Sequence, residues 1–122
     1  MLASGAPIIE LAGVTKRYAG ERGARPALDG IDLAIRRGEV FGVIGESGAG
    51  KSTLLQLIAG LEPADAGSVT VAGRDVGTLG RRRMREHRQE IGVLFQGIHL
   101  LSSRTVRANV ALALRLGPRA AR

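Results

Sequence analysis

The chemistry most legible in this chain lies in the run Gly45 to Thr53, GESGAGKST, where Gly45, Gly50, Lys51 and Ser52 fit the pattern G-x-x-x-x-G-K-[ST]. That spacing suits an anion. Gly45, Gly48 and Gly50 can take backbone angles closed to other residues, so the successive N–H groups of Gly45, Glu46, Ser47, Gly48, Ala49 and Gly50 can turn inward around a phosphate. A helix beginning at about Lys51 would add the positive end of its dipole. Lys51 would then set a point charge on the β and γ phosphates of a nucleotide, and the Ser52 hydroxyl would ligate the Mg²⁺ that bridges them. Thr53 is placed to donate to the α or β phosphate. A plain strand-to-helix turn would explain the glycines but not Lys and Ser in succession.

The elements around the loop are those such a site requires. Glu39 to Ile44 (EVFGVI) is a short apolar run of strand type, and Ser52 to Ala59 (STLLQLIA) is a run of helix formers. Upstream, Ile8 to Leu11 and Val14 to Tyr18 read as a strand interrupted near Ala12 and Gly13. The Gly/Pro-rich stretch Ala19 to Pro26 joins it to an antiparallel neighbour. That neighbour, Leu28 to Ile35, alternates, with Leu28, Ile31, Leu33 and Ile35 on the buried side, and Arg36, Arg37 and Gly38 make the turn into the loop strand. Some 44 residues of mainly strand character thus precede the glycine loop, which argues against small kinases and GTPases.

Downstream, Gly60 to Gly67 is a turn cluster, Ser68 to Ala72 a β-branched strand, and Gly73 to Leu79 a turn with a second short strand. Arg81 to Glu90 (RRRMREHRQE) is a polar helix with Met84, His87 and Ile91 as its inner edge. Its charge reads as a solvated face in preference to a contact with an acidic surface or nucleic acid. His87 reads as a helix-face residue, since no second ligand sits at a metal spacing beside it. Ile91 to Phe95 is a second buried strand, and Gln96 follows at its carboxyl end, where ligands bind in open α/β sheets. Gly97 to Ser103 is a loop, and Thr105 caps a helix running to about Leu116. Its apolar residues Val106, Val110, Leu112, Leu114 and Leu116 wrap round much of the surface and want cover on more than one side.

Composition sets the outer limits. A chain of 122 residues holds one small domain or part of a larger one, and 44% hydrophobic content is enough for a core. The formal charge of +7 is almost wholly arginine, because lysine occurs only at Lys16 and Lys51. With aromatics at 2% there is little to stack on bases, so a dedicated nucleic-acid surface is not expected. The absence of cysteine removes disulfides and thiolate metal sites. The N-terminal MLASGAPIIE lacks the charged and apolar regions of a secretory signal. No run approaches ~18 consecutive apolar residues, so any membrane association is expected through a partner.

Three further features narrow the reading. Tyr18 lies at the right distance upstream of the loop to stack an adenine, SVTVAGRDV follows the loop helix as a hairpin, and IGVLFQ ends in Gln96. Together these resemble the N-terminal half of the ATP-binding subunits of ABC transporters, over nearly the whole chain. IIELAGVTKRY, ALDGIDL, GEVFGVIGESGAGKSTL and HLLSSRTVRANVALAL are similar to the methionine-import branch, from which Gly97, Ile98, His99 and Arg107 depart.

The resemblance implies an α/β fold, a P-loop NTPase of ABC type. It would have an antiparallel β subdomain and part of a parallel-sheet core, truncated before the signature motif. The expected divisions are 1–38 mainly β, 39–60 strand, loop and helix, 61–80 hairpin, 81–104 helix, strand and Q-loop, and 105–122 the start of a helical subdomain. It makes Tyr18 the adenine-stacking residue, Gly45 through Thr53 the ATP and Mg²⁺ site, Lys51 and Gln96 the catalytic contributors, and Ser52 with Gln96 the metal contacts. The complete protein would be a homodimeric transport ATPase, peripheral on the cytoplasmic face of the plasma membrane. It would work with a membrane permease and a substrate-binding protein and no nucleic acid. The chain carries no LSGGQ-like signature, no apolar strand ending in Asp-Glu and no switch histidine, so by itself it is expected to hydrolyse ATP poorly or not at all. Another cargo, or a non-catalytic remnant, is the alternative.

Overall fold

Val, Ile, Leu and Thr alternate through the first strand, β1, at Ile9–Lys16, and place Leu11, Val14 and Lys16 on one buried face. β1 pairs antiparallel with β2 at Leu28–Ile35 on one side and with β3 at Ala66–Val71 on the other. β3 turns back into the short β4 at Arg74–Asp75, giving the order β2-β1-β3-β4. The computed structural model describes residues 5–18, 25–97 and 100–116. The expected loop at 19–26 therefore lies mostly outside the described residues, as do Ile98 and His99.

The interruption expected near Ala12 and Gly13 is a bulge through which β1 continues, where an extra residue of β1 shifts the register between Leu11 and Val14. The second strand does not alternate throughout, because a compensating bulge near Gly30 separates Leu28 from Ile31 by three positions. Each bulge leaves a backbone donor without a ladder partner, and the neighbouring strand supplies one. Gly13 N donates to Asp32 Oδ1 at 2.7 Å, and Gly30 N donates to Thr15 Oγ1 at 3.1 Å.

Helix α1, Lys51–Ile58, lays Leu54, Leu57 and Ile58 on the face of this sheet lined by Leu11, Val14, Val69 and Val71. Leu57 is 1% exposed and Val14 fully buried, so the contact is the centre of the core. The helix ends in a Schellman motif. Gly60, at φ +67°, sends its N–H to Leu57 O at 3.0 Å, while Leu61 N–H reaches Gln56 O at 2.8 Å. Helix α2, Arg81–Glu90, finishes the job from outside. His87 Nε2 lies 2.9 Å from Ile58 O, and the Arg88 guanidinium donates twice to Gly60 O, at 3.1 and 2.6 Å. His87 thus lies on the inner edge the sequence indicates, whereas Arg88, one of the arginines read as a solvated face, caps the negative end of α1, where a cation is favoured. Arg74 pairs with Glu90 and ties α2 to β4.

The segments 39–44 and 91–95 were expected as strands, and neither belongs to the sheet. A strand exists only beside a neighbour that completes its ladder. Their apolar side chains divide accordingly. Phe41, Val43, Val93, Leu94 and Phe95 line a common cavity, whereas Val40 and Ile44 lie outside it, 99% and 97% exposed. Helix α3, Val106–Leu116, begins as the sequence indicates, with Thr105 Oγ1 accepting from Ala108 N at 3.2 Å. Val106, Val110 and Leu114 are exposed along it, in keeping with a helix that wants more cover.

Because Leu57 is enclosed between sheet and helix, Leu57→Ala is expected to lower the free energy of unfolding by about 2–5 kcal/mol in chemical denaturation. A variant of unchanged stability would mean that α1 is not seated as described.

Candidate phosphate-binding site

The loop closes on itself before the helix begins. Ala49 N donates to Glu46 O at 3.1 Å, and Gly48 and Gly50 sit at φ +82° and +91°. Gly50 is the N-cap of α1, and a Cβ built on it would lie 2.2 Å from the carbonyl oxygen of Ala27. Glycine is needed there twice over, for the left-handed backbone and for the close approach to the start of β2. The first α-helical bond is Leu54 N to Gly50 O at 2.9 Å, so the N–H groups of Lys51, Ser52 and Thr53 precede any intrahelical acceptor. No side chain caps this end and no acidic residue stands in its first turn. The helix end is electropositive and left open.

Lys51 folds back over the loop, its Nζ donating to Gly45 O and Glu46 O, both at 2.6 Å. An ammonium has three donors, so one remains for an anion lying against the helix end. Gly45 is held close to the same group, since a Cβ there would meet Ala49 Cβ at 3.1 Å. Glu46, Ser47, Gly48 and Ser52 are exposed, and Thr53 is buried at the loop's inner side.

The structure brings the sequence-distant candidates to the same place. Lys51, Ser52 and Gln96 line one cavity of about 600 Å³ together with Gln56 and the apolar side chains of Phe41, Val43, Leu55, Val93 and Phe95. Tyr18 approaches from the other side. Its hydroxyl lies 3.2 Å from Thr53 Oγ1 and donates to Gln56 Oε1 at 3.5 Å. Val43, shortly before the glycine loop, and Val93, shortly before Gln96, share the cavity wall, so the same gap carries both the polar and the apolar groups.

Sequence reasoning missed several residues that hold these parts. Lys16 is buried against Glu62 at 3.5 Å and Asp65 at 3.7 Å, and Asp65 Oδ2 also accepts from Arg17 N at 2.6 Å. The signal was a lysine in step with Leu11 and Val14 on an otherwise apolar strand face. Asn109 pins the turn before α3. Its Oδ1 accepts from Leu101 N at 2.8 Å, while its Nδ2 donates to Leu101 O, Arg104 O and Thr105 O at 3.1–3.3 Å. A lone polar amide in an apolar helix was its only sign.

A G-x-x-x-x-G-K-S loop that feeds the uncapped N-terminus of a helix is the arrangement of the phosphate-loop nucleotide-binding proteins. Within that class the chain belongs to the ABC transporter family, whose profile matches residues 28–122. It is 51% identical over 109 residues to the methionine import ATP-binding protein MetN of Geobacillus kaustophilus, which covers 89% of this chain and 32% of that protein. The MetN protein of Caulobacter vibrioides is 53% identical over 108 residues, 88% of this chain and 32% of its own length. Among solved structures, the dimeric post-hydrolysis state of the ATP-binding cassette MJ0796 bound to ADP and Pi aligns with a TM-score of 0.82 at 32% identity. It covers 91% of this chain and 48% of the cassette. A second dimeric structure of MJ0796, a bacterial ABC transporter cassette, gives 0.83 at 33%, with the same coverage. The chain thus spans about a third of the length of the curated relatives it matches.

Gly50→Ala forces a side chain into both the left-handed backbone and the Ala27 carbonyl. It is expected to cost at least about 1–2 kcal/mol of stability and to abolish saturable binding of tripolyphosphate. Calorimetric titration and thermal melts check both.

Proposed function

We propose that this chain is the nucleotide-binding portion of the ATP-binding subunit of an importer for an amino acid, methionine above other cargoes. Support for the cargo is the likeness to MetN proteins over 89% of the chain. The observation that carries the nucleotide role is the open N-terminus of α1, with Lys51 held over it by two loop carbonyls and one ammonium donor to spare.

The residues fit a triphosphate with its metal. Backbone N–H groups from Gly48 to Thr53 would surround the phosphates, and Lys51 would balance their charge. The exposed Ser52 hydroxyl and Gln96 amide oxygen, both on the cavity, are oxygen donors of the type a hard cation takes. Mg²⁺, when bound, bridges phosphate oxygens and neutralises charge on them. Tyr18 would stack the adenine, and Gln96 would report the state of the γ-phosphate to the permease. In the complete protein these parts would serve ATP hydrolysis by a homodimer on the cytoplasmic face of the membrane, with a permease and a substrate-binding protein as partners.

A narrower reading applies to the 122 residues by themselves. The cavity that holds Lys51, Ser52 and Gln96 is lined by no carboxylate among the described residues. Hydrolysis needs a group that orients the attacking water. These residues are therefore suited to holding the nucleotide, and a carboxylate that orients water would lie outside this cavity.

Lys51→Ala is expected to lower the affinity for ATP with Mg²⁺ by at least about tenfold, read by equilibrium titration. It should also abolish methionine uptake when the complete protein is paired with its permease. Wild-type binding and uptake in that variant would overturn the reading.

A further inference from the structure

The end of β1 carries an arrangement that the phosphate site does not need. Lys16 occupies a core position, 6% exposed, with its stem packed on the sheet face that α1 covers. Its ammonium lies 5.4 Å from the centroid of the Tyr18 ring, over the ring, while meeting Glu62 at 3.5 Å and Asp65 at 3.7 Å. The carboxylates are about half exposed, so the charge is balanced at the boundary with solvent and not within the core. Asp65 further accepts from Arg17 N at 2.6 Å and donates through its own N–H to Thr15 O at 2.9 Å. The turn at 62–65 is thereby stitched to the last residues of β1 immediately before Tyr18.

Tyr18 is thus held at two places. A cation covers one face of its ring, and its hydroxyl is anchored on α1 through Thr53 and Gln56. The ring remains 41% exposed. A cation within about 6 Å of a ring centroid is attracted to the π face, and a side chain already ordered loses less freedom when a ligand stacks on it.

We propose that Lys16 is a positioning residue for nucleotide binding, which holds the Tyr18 ring by one face so that the opposite face is preset for a purine base. This rests on Tyr18 as the base-stacking residue. Lys16 does not line the cavity that Lys51 and Ser52 share, so its effect is expected on the base and not on the phosphates. The same lysine is also what commits the 62–65 turn to the site, through Glu62 and Asp65.

The chain makes the test direct, because Tyr18 is its sole tyrosine and tryptophan is absent. Intrinsic fluorescence therefore reports this one ring. In the full chain, ATP should quench it and inorganic tripolyphosphate should not. Tyr18→Leu should weaken ATP about tenfold and leave tripolyphosphate unchanged. If Tyr18→Leu does not separate the two ligands, the stacking reading itself fails. Given that separation, Lys16→Gln should weaken ATP several-fold with tripolyphosphate unchanged, Lys16→Arg should restore ATP, and Lys16→Gln should have no further effect in the Tyr18→Leu background. Equal loss of ATP and tripolyphosphate, unchanged ATP affinity, or the same loss in the Leu background would each overturn the role of Lys16 while leaving that of Tyr18 standing. Should Lys16→Gln fail to fold, Lys16→Met with Asp65→Asn, which removes the cation with one of the charges it balances, carries the same comparison against the same outcomes.

Discussion

A helix leaves its first N–H groups and last carbonyls unsatisfied, and the arrangement of this molecule follows from treating the two ends of α1 differently. The carboxyl end is closed by the Schellman bonds at Gly60 and Leu61, by His87 on the Ile58 carbonyl, and by the doubly donating Arg88 on Gly60. The amino end has no side-chain cap and no acidic neighbour. Closing one end with these side chains and burying Leu54 and Leu57 against the sheet keeps the helix in place. The other end can then stay bare, with its dipole uncompensated and directed at the glycine loop.

The sheet serves that helix by position as much as by burial. Gly50 passes so close to the Ala27 carbonyl that the start of β2 defines where α1 begins. The paired bulges in β1 and β2 are absorbed by Asp32 and Thr15, so the strand still returns Lys16 and Tyr18 to the helix's flank. Tyr18 meets Thr53 and Gln56 there. The Tyr18 ring and the helix that follows the glycine loop are thus connected directly by side chains.

The remaining apolar surface belongs to the same site. Phe41, Val43, Val93, Leu94 and Phe95 line the cavity with Lys51, Ser52 and Gln96, and Val40 and Ile44 face outward.

Much of this was legible in the residues, and the reason differs from element to element. Gly45, Gly50, Lys51 and Ser52 announce their role because backbone freedom, charge and hydroxyl at fixed spacing act over a few residues. β1, β2, α1, α2 and the Thr105 cap were legible because period and capping are local. That 39–44 and 91–95 lie outside the sheet was not, since an apolar run says nothing about whether a neighbour is there to complete its ladder. Arg88 looked like one more arginine in a polar run, and Lys16 like one cation among many. The sequence by itself determined the anion-binding loop, the helix that follows it and the family to which they belong, because those depend on contacts within a short stretch of chain. Only the tertiary structure decided that Arg88 closes α1, that Gln96 shares a cavity with Lys51, and that Lys16 lies over Tyr18, because each depends on which distant surfaces are brought within a few ångströms.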